Sequence, residues 1–361
     1  MKNSLVCFLP YFYDNSGHEV SFIKLLKKIS FKLKKGFLVI LPKKNILNFN
    51  LKNHKKIIFS LKNKDLKFLY NLFKNFLVIS NLLKKNNFNK KDIVYLDGYN
   101  LVFLIIFTLA FLINKQRYFF VIYSRYNLEG FSGFICLCCF KIIKNISHKV
   151  ILLTDTDKLK KNLTTFKIKS ILMPIPHTFK RSKIVKKKLN PLNIKILFPG
   201  KFRKDKFSKN FHNFLITNNS KDIEINISNK FSYYDNYKYK FKRFTENLSR
   251  QKYLNLFKET NFIILPYNDK LYKYRSSGIF IEAISLKKIT FVSKATWMAD
   301  ELQKFKLGCL VVKDWSSFKL SNSLKIYDDP EIKKKIDIMH KKYLSFHNEK
   351  NFISVFKTII N

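Results

Sequence analysis

The chain has 361 residues, a 47% hydrophobic share and 70 Lys plus Arg against 24 Asp plus Glu, for a formal net charge of +46. Single cores stop growing near about 250–300 residues, so two ordinary domains are expected, and a low-complexity chain is excluded. Such a charge would ordinarily point to nucleic acid or an anionic membrane, but only seven of the basic residues are Arg, and the lysines run the whole length alongside abundant Asn, Ile, Leu and Phe.

Those are the residues of adenine- and thymine-rich codons, so drift in base composition accounts for most of the charge. The rare Arg and Gly then become informative, because they stand where Lys or Asn would not do. The five cysteines, Cys7, Cys136, Cys138, Cys139 and Cys309, are odd in number and lie mostly in apolar runs, as buried thiols of a reducing compartment do. "CLCC" lacks companion ligands at zinc spacing, and no metal site is expected.

In chain order, "MKNSLVCFLPYFYDN" reads as a first strand, since no small-residue cleavage site follows the apolar run. Short apolar runs, "SLVCFLP", "GFLVIL", "DIVYL", "YFFVIY" and "KVILL", then alternate with amphipathic stretches such as "GHEVSFIKLLKKIS". That alternation predicts a doubly wound parallel sheet over residues 1–175. "LVFLIIFTLAFLI" and "FSGFICLCCF", with 13 and 10 residues, fall short of the roughly 20 needed to span hydrocarbon. They are expected as buried helices whose Phe-rich surroundings suit shallow attachment to a membrane surface. Residues 176–193, Pro-containing and Lys-rich, form the predicted linker. A second α/β series, "NIKILFPG", "DIEINIS", "NFIILP", "KITFVS" and "CLVV", predicts a second domain over 194–340, followed by a C-terminal helix over 341–361 that returns to the first domain.

Ligands of open parallel sheets bind beyond the carboxyl ends of the strands, so the loops there are the candidates. Gly17 and His18, in "YDNSGHE", precede a helix whose N-terminus favours negative charge, although a simple turn would look the same. In "FPGKFRKDKF", Gly200 allows a turn while Arg203 and Lys206 supply a bidentate fork and a compact cation for one anion; against this, most lysines here are solvated surface residues. "YRSSGIFIEAIS" places Tyr274, Arg275, Ser276, Ser277 and Gly278 before a helix start and Glu282 inside it. Free N–H groups at that start can hold phosphate, and Glu282 alone would read as a helix-dipole residue. Arg125 and Glu129, in "VIYSRYNLEGF", contact an acceptor or pair with neighbours.

Taken together these loops resemble the family 4-like glycosyltransferases of the GT-B fold. Gly200-Lys201-Phe202-Arg203-Lys204-Asp205-Lys206 matches the family's G-x-x-R-x-x-K loop, and "SSGIFIEA" matches its serine/glycine loop leading to a Glu-Ala helix. "LTDTDKLKKNL", "ILMPIPH" and the stretch from "LGCLVVKDW" onward extend the resemblance over residues 150–340, with the first 150 similar by pattern alone. It implies two Rossmann-like domains facing across a cleft, a nucleotide-sugar donor on the second, a saccharide or lipid-linked acceptor on the first, Arg203 and Lys206 on the donor pyrophosphate, and Glu282 on the ribose hydroxyls. It further implies transfer in retaining mode that needs no protein base, cofactor or metal, in cell-envelope polysaccharide synthesis; the basic, Phe-rich first domain adds the expectation of a cytoplasmic enzyme peripheral to the inner membrane face. Three departures stand: Tyr274 where the family often has a donor-sugar Glu, "YSRYN" where relatives place a His, and Phe207 in place of a glycine. A nucleic-acid binder, with no specific site recognised here, and an inactive GT-B scaffold on membranes are the competing readings.

Overall fold

The computed structural model describes the chain except for residues 1–2, 13–18, 45–53, 61–66, 85–90, 115–117, 177–189, 191, 201–210, 232–237, 247 and 361. It divides into two compact units, Met1–Met173 with Phe352–Asn361, and Pro174–Asn351.

In the first unit the described strands are β1 (Ser4–Phe8), β2 (Gly36–Pro42), β3 (His54–Ile58), β4 (Ile93–Leu96), β5 (Phe119–Tyr123), β6 (Lys149–Thr154) and β7 (Ser170–Leu172). They form one parallel sheet in the order β3-β2-β1-β4-β5-β6-β7. Its central strands are covered on both faces: Leu5 to Phe8 and Ile93 to Leu96 are all buried, which is why they read as continuous apolar runs. Helices α1 (Glu19–Lys32), α2 (Phe68–Lys84), α3 (Leu101–Asn114), α4 (Gly130–Ile146) and α5 (Asp157–Thr165) connect them.

The second unit holds β8 (Ile194–Leu197), β9 (Ile223–Ser228), β10 (Lys240–Phe244), β11 (Phe262–Leu265), β12 (Ile289–Ser293) and β13 (Val311–Val312), parallel in the order β10-β9-β8-β11-β12-β13. Its helices are α6 (Phe211–Thr217), α7 (Arg250–Glu259), α8 (Asp269–Tyr272), α9 (Gly278–Ser285), α10 (Trp297–Lys304), α11 (Leu324–Asp328) and α12 (Pro330–Phe346). Asp329 caps α12 by accepting from the N–H groups of Glu331 and Ile332, and Pro330 takes the first helical position, where its missing N–H costs nothing. The chain then enters α13 (Glu349–Ile360), whose Phe352, Ile353, Phe356 and Ile359 belong to the core of the first unit. Phe352 meets Phe22 edge to face at 5.9 Å, and Phe356 lies 5.8 Å from Tyr95.

Each sheet reverses its winding direction once. In the first unit the reversal lies between β1 and β4, and in the second between β8 and β11. The crevice beyond the carboxyl ends of such a strand pair is where ligands of doubly wound sheets bind. Among the described residues no helix is long and apolar enough to cross a membrane.

Candidate functional site

In the second unit, β8 and β11 run side by side in register Phe262 with Ile196 and Ile263 with Leu197, so the loops that leave them start from neighbouring points. Beyond β8 the chain reaches Gly200 at φ +88°, a conformation that favours glycine. Arg203 and Lys206 follow within residues 201–210, outside the described residues. Beyond β11 the chain passes through α8 and the half-buried Tyr274, Arg275 and Ser276 to α9. The Lys273 ammonium lies 4.9 Å from the Tyr274 ring centroid.

Ser277 caps α9: its hydroxyl accepts from the Phe280 N–H at 3.2 Å. Gly278 opens the helix, so Glu282 stands in its second turn, beyond the first-turn reach of the helix dipole. Every residue from Phe280 to Ser285 is buried, Glu282 being 1% exposed. The carboxylate therefore sits in a wholly buried helix face, where an ionised group needs a partner. Arg250, at the start of α7, donates from Nη1 to Glu282 Oε1 at 2.6 Å. Tyr253, one turn along α7, hydrogen-bonds the same carboxylate. Burial raises the Glu282 carboxyl above the ordinary range, and the Arg250 charge and the two hydrogen bonds oppose that rise. The Arg250 side chain remains 48% exposed, so one end of this buried group is reached from solvent.

A second constellation forms at the carboxyl ends of β4, β5 and β6. Asp97, directly after β4 at the reversal point, is buried; its carboxylate accepts from the Gly98 N–H at 2.6 Å and from the Tyr95 hydroxyl at 3.2 Å. Gly98 takes φ +57°, and an added Cβ would meet the Phe12 ring at 2.8 Å, so the turn holding Asp97 accepts no side chain there. Asp155, after β6, is 2% exposed and lies 3.4 Å from Arg125 Nε. Arg125 also lies over the Tyr123 ring at 5.3 Å. Burial pushes the Asp97 carboxyl up, while the Arg125 charge opposes it. With two carboxylates around one guanidinium the group is at most neutral, which suits hydrogen bonding to hydroxyls better than holding an anion. Glu129 accepts from Asn162 at 3.5 Å. Gly17 and His18 lie outside the described residues.

The structure thus brings the Tyr274-to-Glu282 segment to the strand next to the Gly200 loop, and sets Arg125 beside two acids. Sequence reasoning passed over Arg250, Tyr253, Asp97 and Asp155. Arg250 had a signal, being one of only seven arginines, and Asp97 stood directly between a strand and a glycine.

No protein-family model matches the chain, and no curated protein matches it in sequence. Solved structures match over nearly its whole length. The lipopolysaccharide outer core galactosyltransferase WaaB superposes with TM-score 0.66 at 13% identity, covering 98% of both chains. Alr3699/HepE from Anabaena in complex with UDP superposes with TM-score 0.60 at 11% identity, covering 98% of this chain and 99% of that one. The chain has the GT-B fold. The GT-B fold does not settle the chemistry, because a putative UDP-N-acetylglucosamine 2-epimerase from Listeria monocytogenes also superposes, with TM-score 0.57 at 10% identity over 99% of this chain and 95% of that one.

Proposed function

We propose that this chain is a glycosyltransferase that moves a sugar from a nucleotide-sugar donor to a saccharide or lipid-linked acceptor, with retention, in the synthesis of a cell-envelope polysaccharide. The observation that carries the reading is Glu282: a buried carboxylate, held by Arg250 and Tyr253, on the helix that follows β11 at the winding reversal. A carboxylate there is placed to accept from the ribose hydroxyls of a nucleotide, which requires Arg250 to share it or swing aside. The UDP complex of HepE and the galactosyltransferase description of WaaB support a nucleotide sugar as donor.

In this reading Ser276, Ser277 and Gly278 offer N–H groups to the donor phosphates, and Tyr274 and Arg275 border the sugar. Arg203 and Lys206 stabilise the charge that grows on the departing diphosphate, as preorganised cations do in a site shielded from water. The leaving diphosphate can itself take the acceptor proton, so the reaction needs no protein base. Asp97, Arg125 and Asp155 on the first unit provide hydroxyl-binding groups for an acceptor.

Steady-state kinetics on Arg203→Ala and Lys206→Ala test the proposal. Turnover is expected to fall by roughly 10²–10³ with little change in KM, the mark of a group that acts only as charge develops. Wild-type turnover in both variants would remove the loop from the active site. Assays with a panel of nucleotide sugars separate the readings: transfer gives free nucleoside diphosphate and a glycosylated acceptor, an epimerase gives an isomerised sugar, and an inactive scaffold binds without turnover.

A further inference from the structure

Helices α2, α3 and α4 pack side by side on the first unit, α2 against α3 and α3 against α4. Their inner faces fill the core, but their outer faces are also apolar. Leu69 and Phe73 of α2 are 77% and 57% exposed, Ile113 of α3 is 59% exposed, and Phe131 and Phe134 of α4 are 79% and 60% exposed. Water-facing positions of a soluble helix layer ordinarily carry charge. Here the three helices, 17, 14 and 17 residues long, contain no Asp or Glu at all. Their charged residues are lysines, and α3 has none. The Lys74 ammonium sits 4.3 Å from the exposed Tyr70 ring, an aromatic ring and a cation offered together at the surface.

We propose that the outer face of α2, α3 and α4 docks on an anionic lipid surface, with Leu69, Phe73, Ile113, Phe131 and Phe134 entering the boundary between headgroups and acyl chains while the lysines meet lipid phosphates. Such a surface satisfies both features at once. A second copy of the chain would bring two lysine-bearing, acid-free layers together. A polyanion without acyl chains would leave Leu69 and Ile113 in water. No helix among the described residues can cross the bilayer, so the contact is of the kind that lies on it. The inference does not rest on the sugar-transfer reading, and its test uses no nucleotide sugar.

The experiment is co-sedimentation of the full chain with vesicles of phosphatidylcholine alone and with about one-third phosphatidylglycerol, at physiological and at about 0.5 M salt. Binding to the anionic vesicles is expected, with a residue of binding that survives high salt. The variant carrying Phe73→Ser, Ile113→Ser and Phe131→Ser keeps every charge and changes only exposed positions; circular dichroism verifies its fold. Its partition is expected to fall at least about tenfold. The proposal is overturned by unchanged partition of that variant, which would leave general charge attraction as the whole cause. Failure to bind anionic vesicles, or a dimer that the same substitutions dissociate, would also overturn it.

Discussion

The carboxylate of Glu282 has two accounts that a single substitution separates. As a bridge between α7 and α9 it serves the fold alone; as a ribose acceptor it serves a ligand. Glu282→Gln is expected to weaken nucleoside diphosphate binding by about 1.5–3 kcal/mol, the range for a hydrogen bond to a charged group. The fold should survive, because the half-exposed Arg250 is hydrated when its partner is lost. Calorimetry on the folded variant decides: unchanged affinity assigns Glu282 to the fold alone. His347 makes a different prediction. Its Nδ1 accepts from the Ile175 N–H at 3.1 Å, and burial lowers its pKa to about 4 from 6.5. Below pH 6.5 the unfolded chain takes up a proton that the folded chain refuses, so stability is lost as pH falls toward 4, by up to about 3 kcal/mol. The only two tryptophans, Trp297 and Trp315, both lie in the second unit, so their fluorescence during urea unfolding reports this unit alone. His347→Gln should flatten that acid slope, and equal slopes in both proteins would refute the assignment.

Among the elements, α9 carries the candidate donor segment and depends on its cap. Its residues from Phe280 to Ser285 are buried and Ile279 partly so, so packing specifies the helix, but the first turn has Ser277 to take the Phe280 N–H. Ser277→Ala is expected to cost about 0.5–2 kcal/mol in thermal or urea unfolding, and Ser277→Asp to retain most of it. Equal stability of wild type and the Ala variant would mean that another group satisfies the helix start. The strands divide by position in the sheet. The central ones are legible as apolar runs because helices cover both faces. The three the sequence reading did not name, β3 "HKKII", β7 "SIL" and β10 "KFKRF", all lie at sheet edges. β3 and β10 carry lysines and β7 has only three residues, so the hydrophobic signal of these edge strands is short or broken.

For the molecule as a whole, α13 ties the end of the chain to the first unit. Expected to return from residue 341, the chain instead keeps α12 in the second unit and crosses back at Phe352. Phe352, Ile353, Phe356 and Ile359 are each at most 5% exposed in the core that also holds Phe22 and Tyr95. A buried side chain of this size is worth about 1.5–3 kcal/mol. Truncation after Asn351 should therefore destabilise the first unit severely while leaving the tryptophan-reported transition of the second near its wild-type value. Calorimetry reads the first unit beside the tryptophan signal: a tryptophan-reported transition that shifts with truncation, or a calorimetric transition of the first unit that does not, would contradict this division of the chain.

Read alone, the sequence determined the α/β class, the two parallel sheets and the order of the candidate loops, because these depend on local periodicity and on residues a few positions apart. Glycines and a capping serine are legible for the same reason: their effect is exerted on neighbouring backbone. It also disclosed the resemblance to GT-B glycosyltransferases through short motifs in fixed order. Only the tertiary structure decided which groups share a site. Arg250 and Glu282 are 32 residues apart, and Arg125 and Asp155 come from different loops; each pair meets because parallel strands bring distant loops to one edge. The charge state of such groups depends on burial and on partners across the fold, so neither the Arg250 clasp on Glu282 nor the setting of Asp97 had a local signature. The sequence raised shallow membrane attachment for the α3 and α4 segments but not which faces are exposed, since an apolar helix reads the same whether its last face meets protein or solvent, and only packing tells which.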